Sequence, residues 1–250
     1  AIGSYSGAIL GKMMNGLPGL FAGMAVGVVL SVIVAFLVGL PTLRLKGDYL
    51  AIATLGVAEI IRVAVTNMKL TNGAAGISGV PLTNTWTITY IALVVTTILI
   101  LNYTFSSAGR ATYAVLQDEI AAESMGVQVT KYKILAFVLG AATASIGGTL
   151  SATTLGAVTP SDFTFMKSID VLIIVVFGGI GSFTGSFVAA VLLGIINLVL
   201  QPFGQLRMII YAVALILIMI FRPGGLLGTW EFKLGDFKFS KKKETKESGK

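Results

Sequence analysis

The sequence predicts an all-α polytopic membrane protein, a helical bundle of about seven to eight spans with one short glycine-interrupted segment near residues 169–187. Three observations carry that prediction. Apolar runs of roughly 18–22 residues, each about 30 Å long as helix, recur along the 250-residue chain. The runs are continuous rather than alternating, which points to helices and not to a barrel. Charged residues make up 12% of the chain and hydrophobic residues 55%, with a mean hydropathy of +0.91, about half the charge density of a soluble domain.

Taken in order, residues 1–11 are expected to be the end of a helix, with Gly3, Gly7 and Gly11 on one face as a small-residue packing stripe. That run is about half a span long and starts at Ala1, so part of a first helix is expected to be missing. Lys12 to Pro18 is a turn. A first full span is expected at 20–42, where Gly19, Gly23 and Gly27 repeat the stripe and Pro41 closes the helix. After a short basic turn at Arg44–Asp48, a span at 49–67 carries Glu59 and Arg62 one helical turn apart. Residues 68–85 form a Gly- and Asn-rich loop. The span 86–105 is opened by Trp86 and Tyr90 and closed by Tyr103, as interfacial aromatic belts require.

A polar segment follows at 106–133, then a span at 134–156 with Gly140, Ala144 and Gly148 on one face and Ala141, Ser145 and Thr149 beside them. Residues 157–168 are a loop in which Pro160, Ser161 and Asp162 signal a helix start, and Asp170 is expected to begin the next helix. The apolar piece 169–178 is about ten residues, roughly 15 Å, too short to span alone. GGIGSFTGS (178–186) separates it from an apolar run at 187–200, and a last short span is expected at 206–221. Residues 229–250, rich in Lys, Glu and Ser, are expected to be a disordered tail.

Neither Cys nor His occurs in the chain. Disulfides, Ser-His dyads, His-ligated metals and histidine proton relays are thereby excluded, and with them most intramembrane enzyme classes; Ser182 has no His base to make it a nucleophile. No G-x-x-x-x-G-K-[ST] stretch exists, so no nucleotide cofactor is expected in this chain. If the 106–133 loop and the tail share the cytoplasmic side, strict alternation places Arg44, Lys46, Arg110, Lys131, Lys133, Arg222 and the tail lysines inside. Lys12, Arg62, Lys69, Lys167 and Arg207 fall on or near the other side. The positive-inside rule selects that orientation, with the tail lysines supplying most of the bias. The net charge of +7 then suits anionic lipid headgroups and implies no nucleic acid.

Several residues invite two readings each. Arg110–Lys133 carries Asp118, Glu119, Glu123 and three bases between two spans, with Ala and Val at helical spacing. It is either a solvated loop or a helical surface built to receive a soluble partner. Glu59 and Arg62 are either groups on a solute path or a structural ion pair near the end of their span. In the 178–186 turn, Gly178, Gly179, Gly181 and Ser182 either permit close packing or present helix N-termini to an anionic solute group. TNGAAGISGVP (71–81) is either a flexible loop or a docking and gating element at the outer mouth.

Four stretches point further: LRLKGDYLAIATLGVAEIIR (43–62), TNGAAGISGVP (71–81), AGRATYAVLQDEIAAESMGVQVTKYKILAFVLGA (108–141) and VFGGIGSFTGSFVAAVLLG (176–194), with FRPGGLLG (221–228) agreeing. In this order they resemble the membrane permease subunits of branched-chain amino acid ABC importers. The resemblance covers nearly all of 1–228 and makes that stretch the permease domain. It implies a second permease subunit, cytoplasmic ATP-binding subunits, an extracytoplasmic solute-binding protein, and more helix before Ala1. Import permeases of this kind share a coupling loop with Glu-Ala-Ala, three residues, then Gly. Ala121, Ala122 and Gly126 match that spacing, while Ile120 stands at the Glu position with Glu119 and Glu123 nearby. The implied coupling helix lays Ile120, Ala121 and Met125 in a cleft of the ATPase, leaves Asp118 and Glu119 at the rim, and ends at Gly126. The alternative is an ion- or proton-coupled secondary transporter with Glu59, Arg62 and Asp170 as its relay.

Overall fold

The long apolar runs are helical, as a backbone that must satisfy its own amides in hydrocarbon requires. The computed structural model describes residues 1–200 apart from Asn15, Lys46 and Ile180, together with Val213 and Ile216. The expected last span at 206–221 (those two residues aside), Arg207, Arg222, the FRPGGLLG stretch and the 229–250 tail lie outside the described residues. Two compact units are present, Ala1–Phe165 and a second from Met166 onward. Five helices among the described residues are long and apolar enough to cross a membrane.

In the first unit, α1 (Ile2–Met14), α2 (Leu17–Thr42) and α7 (Val129–Leu155) pack as a three-helix core. The glycine stripes of α1 and α2 make this possible. A Cβ on Gly23 would stand 2.8 Å from the Gly7 Cα, and one on Gly7 would stand 2.7 Å from the Thr149 methyl carbon. Only hydrogen fits at such approaches. Hydroxyls then bridge the helices: Thr149 Oγ1 donates to the Gly3 carbonyl (2.9 Å), Ser4 Oγ to Gly148 (2.9 Å) and Ser6 Oγ to Gly23 (3.1 Å). Each such bond contributes about 0.6 kcal/mol in a membrane interior. On α7 the row in contact is Ser145 and Thr149, with Gly148 beside them; Gly140 meets open space and Ala144 is exposed. The expected Gly140–Ala144–Gly148 stripe is thus displaced to its neighbour, because the Thr149 hydroxyl answers a carbonyl of α1 and Ser145 lets the Gly3 backbone approach closely.

Two further spans, α3 (Asp48–Asn67) and α4 (Trp86–Phe105), have no buried residue. Between them, residues 68–85 are built rather than loose. Two 3-10 turns (Lys69–Thr71, Gly73–Ala75) lead to β1 (Ile77–Ser78), which pairs antiparallel with β2 (Ala157–Val158) in the register Ile77 to Val158. Ile77, Val80 and Val158 bury against Tyr5, Ala8 and Ala152, and the Tyr5 ring packs on Phe163 at 6.2 Å. Asn84 Nδ2 donates to Thr154 Oγ1 (2.7 Å) and ties the entrance of α4 to the end of α7. A Thr159–Asp162 capping box starts the 3-10 turn Pro160–Phe163.

Boundaries differ from expectation in several places. α1 runs on to Met14 and α2 starts at Leu17, so the expected Lys12–Pro18 turn is largely helical, while α2 ends at Thr42 as expected, one residue past Pro41, because a proline in the last turn interrupts little. α7 begins at Val129 rather than 134, since no breaker stands between Gly126 and that span. The second unit holds α8 (Phe165–Gly178, its first residue in the preceding unit) and α9 (Phe183–Leu200). Asp170 therefore lies past the first turn of α8 and does not start it; the carboxylate that opens a helical turn in this region is Asp162. At 14 residues, about 21 Å, α8 is short of a bilayer.

Candidate functional site

The polar segment forms an elbow. Ser106 Oγ accepts from Gly109 N (3.1 Å) and caps α5 (Ser107–Gln117), while Arg110 Nη1 donates back to the Phe105 carbonyl (3.0 Å). Asp118 is extended and breaks the helix; its Oδ1 accepts from Ile120 N (2.8 Å) and Ala121 N (3.1 Å) as the cap of α6 (Glu119–Ser124). A Schellman turn closes α6: Val127 N donates to the Ala122 carbonyl (3.0 Å) and Gly126 N to Glu123 (2.9 Å). Gly126 has φ 81°, a conformation that favours glycine. The Ala-Ala-x-x-x-Gly spacing is thus a short helix with its stop.

Of the residues expected to couple, Ala122 is buried, whereas Ile120, Ala121, Glu123, Met125 and Gly126 are exposed. Ile120 is 75% exposed and Met125 85%. Tyr113 and Leu116 on α5 are also exposed apolar groups, not singled out by sequence spacing because the break at Asp118 interrupts the helical period. The expected rim acids are otherwise engaged. Asp118 is spent on the cap, and Glu119 forms an ion pair with Lys133 on α7, a partner beyond any local spacing rule. Open clefts lie at both ends of α6. One, of about 830 Å³, is lined by Glu123, Val127, Lys131, Ile134 and Phe36. The other, of about 360 Å³, brings Leu45 and Gly47 of the α2–α3 turn and Leu50 of α3 to Asp118, Glu119, Ile120 and Lys133. That contact places the α2–α3 turn and the elbow at one end of the unit, and the β1–β2 pairing places residues 68–85 and 156–163 together at the other.

Glu59 and Arg62 do pair. Arg62 Nε donates to both carboxylate oxygens of Glu59 (2.9 and 3.0 Å), and Nη2 donates to Oε1 as well. The pair is half-exposed, at 47% for Glu59 and 30% for Arg62. It shares its side of α3 with exposed Ile52, Leu55 and Val63, opposite the partly buried Leu50, Val57 and Ile61. In the second unit the 178–186 turn is a packing joint. A Cβ on Gly178 would meet the Gly185 backbone, and Phe177, Ala189 and Leu193 are buried about that contact. Gly178, Gly179 and Ser182 are buried and Gly181 is exposed. Ser182 Oγ, just before α9, accepts from Gly185 N (3.0 Å) and caps it. The packing alternative is the one this geometry favours.

Residues 1–221 match the family model described as branched-chain amino acid transport system / permease component. The chain belongs to this permease family. Among curated relatives of this branched-chain permease component, the high-affinity branched-chain amino acid transport system permease protein LivM of Salmonella typhimurium is 36% identical over 91% of the chain and 61% of its own length. LivM of Escherichia coli is 35% identical over the same shares. The permease protein LivH of Escherichia coli is 30% identical over 57% of the chain and 46% of its own length. The chain spans about three fifths of the length of the LivM relatives, 61%. No solved structure matches it. Membership in a family of multi-pass transport permeases leaves the ion-coupled alternative, with Glu59, Arg62 and Asp170 as relay, without an observation in its favour.

Proposed function

We propose that the chain is the membrane-spanning permease subunit of an ATP-binding-cassette importer for branched-chain amino acids or a related small polar solute. The match of residues 1–221 to the permease component carries this reading. The elbow supports the coupling part of it: exposed Tyr113, Leu116, Ile120 and Met125 stand on a short capped segment between spans, a form suited to a groove on a soluble ATPase. Separate cytoplasmic ATP-binding subunits bind and hydrolyse ATP, and their closure displaces α6. The permease pair then shifts between outward- and inward-facing states, an equilibrium biased by differential binding.

In this reading the elbow and the tail are cytoplasmic, and the cap formed by residues 68–85 and 156–163 faces the extracytoplasmic solute-binding protein. The Glu59–Arg62 pair lines the solute path beside the second permease subunit. A charged pair on a half-exposed helix face is stable in a bilayer only against protein or water. The test is reconstitution. The chain with its ATP-binding subunits, second permease and binding protein is expected to take up leucine into proteoliposomes only with ATP. Uptake driven by an ion gradient without ATP overturns the proposal.

A further inference from the structure

Glu119 and Lys133 form one of two ion pairs among the described residues, and what it closes is unusual. Glu119 is the first residue of α6, and Lys133 lies beyond the first turn of α7. The covalent route from one helix to the other is the turn Met125–Gln128. Within it Gly126 has positive φ, and no atom lies within 4 Å of where its Cβ would stand. No side chain braces the turn at Gly126, so its own hydrogen bonds and the half-buried Val127 are what hold it. The ion pair spans the open side, so α6, the turn and the start of α7 make a closed triangle. Its side chains are 40% and 24% exposed, which screens the pair less than a fully solvated one. Downstream, α7 is locked to α1 and α2 through Ser145 and Thr149. Beside the pair, the second cleft reaches Leu50 at the start of α3, the helix that carries Glu59 and Arg62.

We propose that Glu119 and Lys133 are a brace: positioning residues that make α6 and the first turns of α7 one rigid body. A displacement of α6 is then delivered to the α1–α2–α7 core instead of being absorbed at Gly126. The proposal rests on the importer reading, and it takes Glu119 out of the contact with the ATPase and gives it an internal task. Neither residue touches solute.

The chain has no cysteine, so Glu119→Cys with Lys133→Cys supplies a unique thiol pair. In the assembled importer in proteoliposomes, the quantity to measure is leucine carried per ATP hydrolysed. With the thiols free, that ratio is expected to fall about fivefold while the ATP-binding subunits stay bound. Bridging the thiols with a short bifunctional alkylator is expected to restore it, and so is the charge swap Glu119→Lys with Lys133→Glu, whereas either swap alone does not. A native ratio with free thiols, a bridge that fails to form, or a bridged or swapped protein that stays uncoupled overturns the brace. Loss of the ATP-binding subunits from the single variants also overturns it, by placing Glu119 in the docking contact. Absence of ATP-driven uptake by the unmodified importer sinks the importer reading itself, and the transmitting role with it, even where the bridge forms normally.

Discussion

Ile120 is an exposed aliphatic group on a six-residue helix whose backbone is capped at both ends by its own neighbours. Nothing in its own unit covers it, so burial in a partner would contribute about 1.5–3 kcal/mol. Ile120→Asp is expected to weaken co-purification of the ATP-binding subunits by at least about tenfold, because a truncated and charged anchor loses its pocket. Its exposure means that membrane levels should not change; co-purification at the native level would remove Ile120 from the contact. Glu59 and Arg62 call for a different experiment, since loss of one partner disturbs any ion pair. Glu59→Gln combined with Arg62→Gln leaves a neutral, hydrogen-bonding pair. If the two line the solute path, leucine uptake falls about tenfold in the double variant as in the singles. Normal uptake by the double variant returns the pair to a purely structural role.

At the scale of elements, small residues decide which helices form the core. α1, α2 and α7 touch through glycine and hydroxyl rows, while α3 and α4, rich in branched and bulky residues, have no fully buried residue in the described part of the chain. Gly23→Val would drive a branched side chain into the Gly7 backbone. Overpacking of this kind costs about 1–3 kcal/mol, and the variant is expected to unfold at a lower temperature in detergent than the native chain. An unchanged midpoint would mean that the α1–α2 contact is looser than described. The stripes in α1 and α2 were legible at four-residue spacing, because glycine is chosen for its size at every position of the row. Which α7 row packs was not, since Thr149 is selected by a carbonyl that α1 brings from 146 residues away and Ser145 by the close approach of Gly3 and Gly27. The elbow shows the same division. The Ala121–Ala122 to Gly126 spacing announces a short helix and its stop by local rules, whereas Asp118, expected at the rim, is its cap, and the Glu119–Lys133 pair depends on how the Gly126 turn folds back.

At the scale of the molecule, the first unit has two distinct ends. One gathers the α2–α3 turn and the elbow, and the other gathers residues 68–85 with 156–163. The absence of cysteine makes their placement across the membrane directly measurable. Ser124 and Ser78 are both exposed, one at each end. With a single Ser124→Cys, an impermeant thiol reagent is expected to label only opened membranes, and with a single Ser78→Cys it is expected to label intact cells. Labelling of both from one side contradicts the two-ended arrangement, and exchange of the two results inverts the proposed orientation. The all-α character, the order of the spans up to residue 200, the short α8 and the family were all determined by the sequence alone. Continuous apolar length, turn residues and glycine spacing act over a few residues, and a bilayer permits few other forms. Which row of α7 packs, how the 68–85 loop is pinned by β2, that the 178–186 turn is a joint, and where Glu119 finds its partner were decided only by tertiary structure. Those outcomes depend on backbone carbonyls and side chains brought together from distant parts of the chain, and no local spacing encodes them.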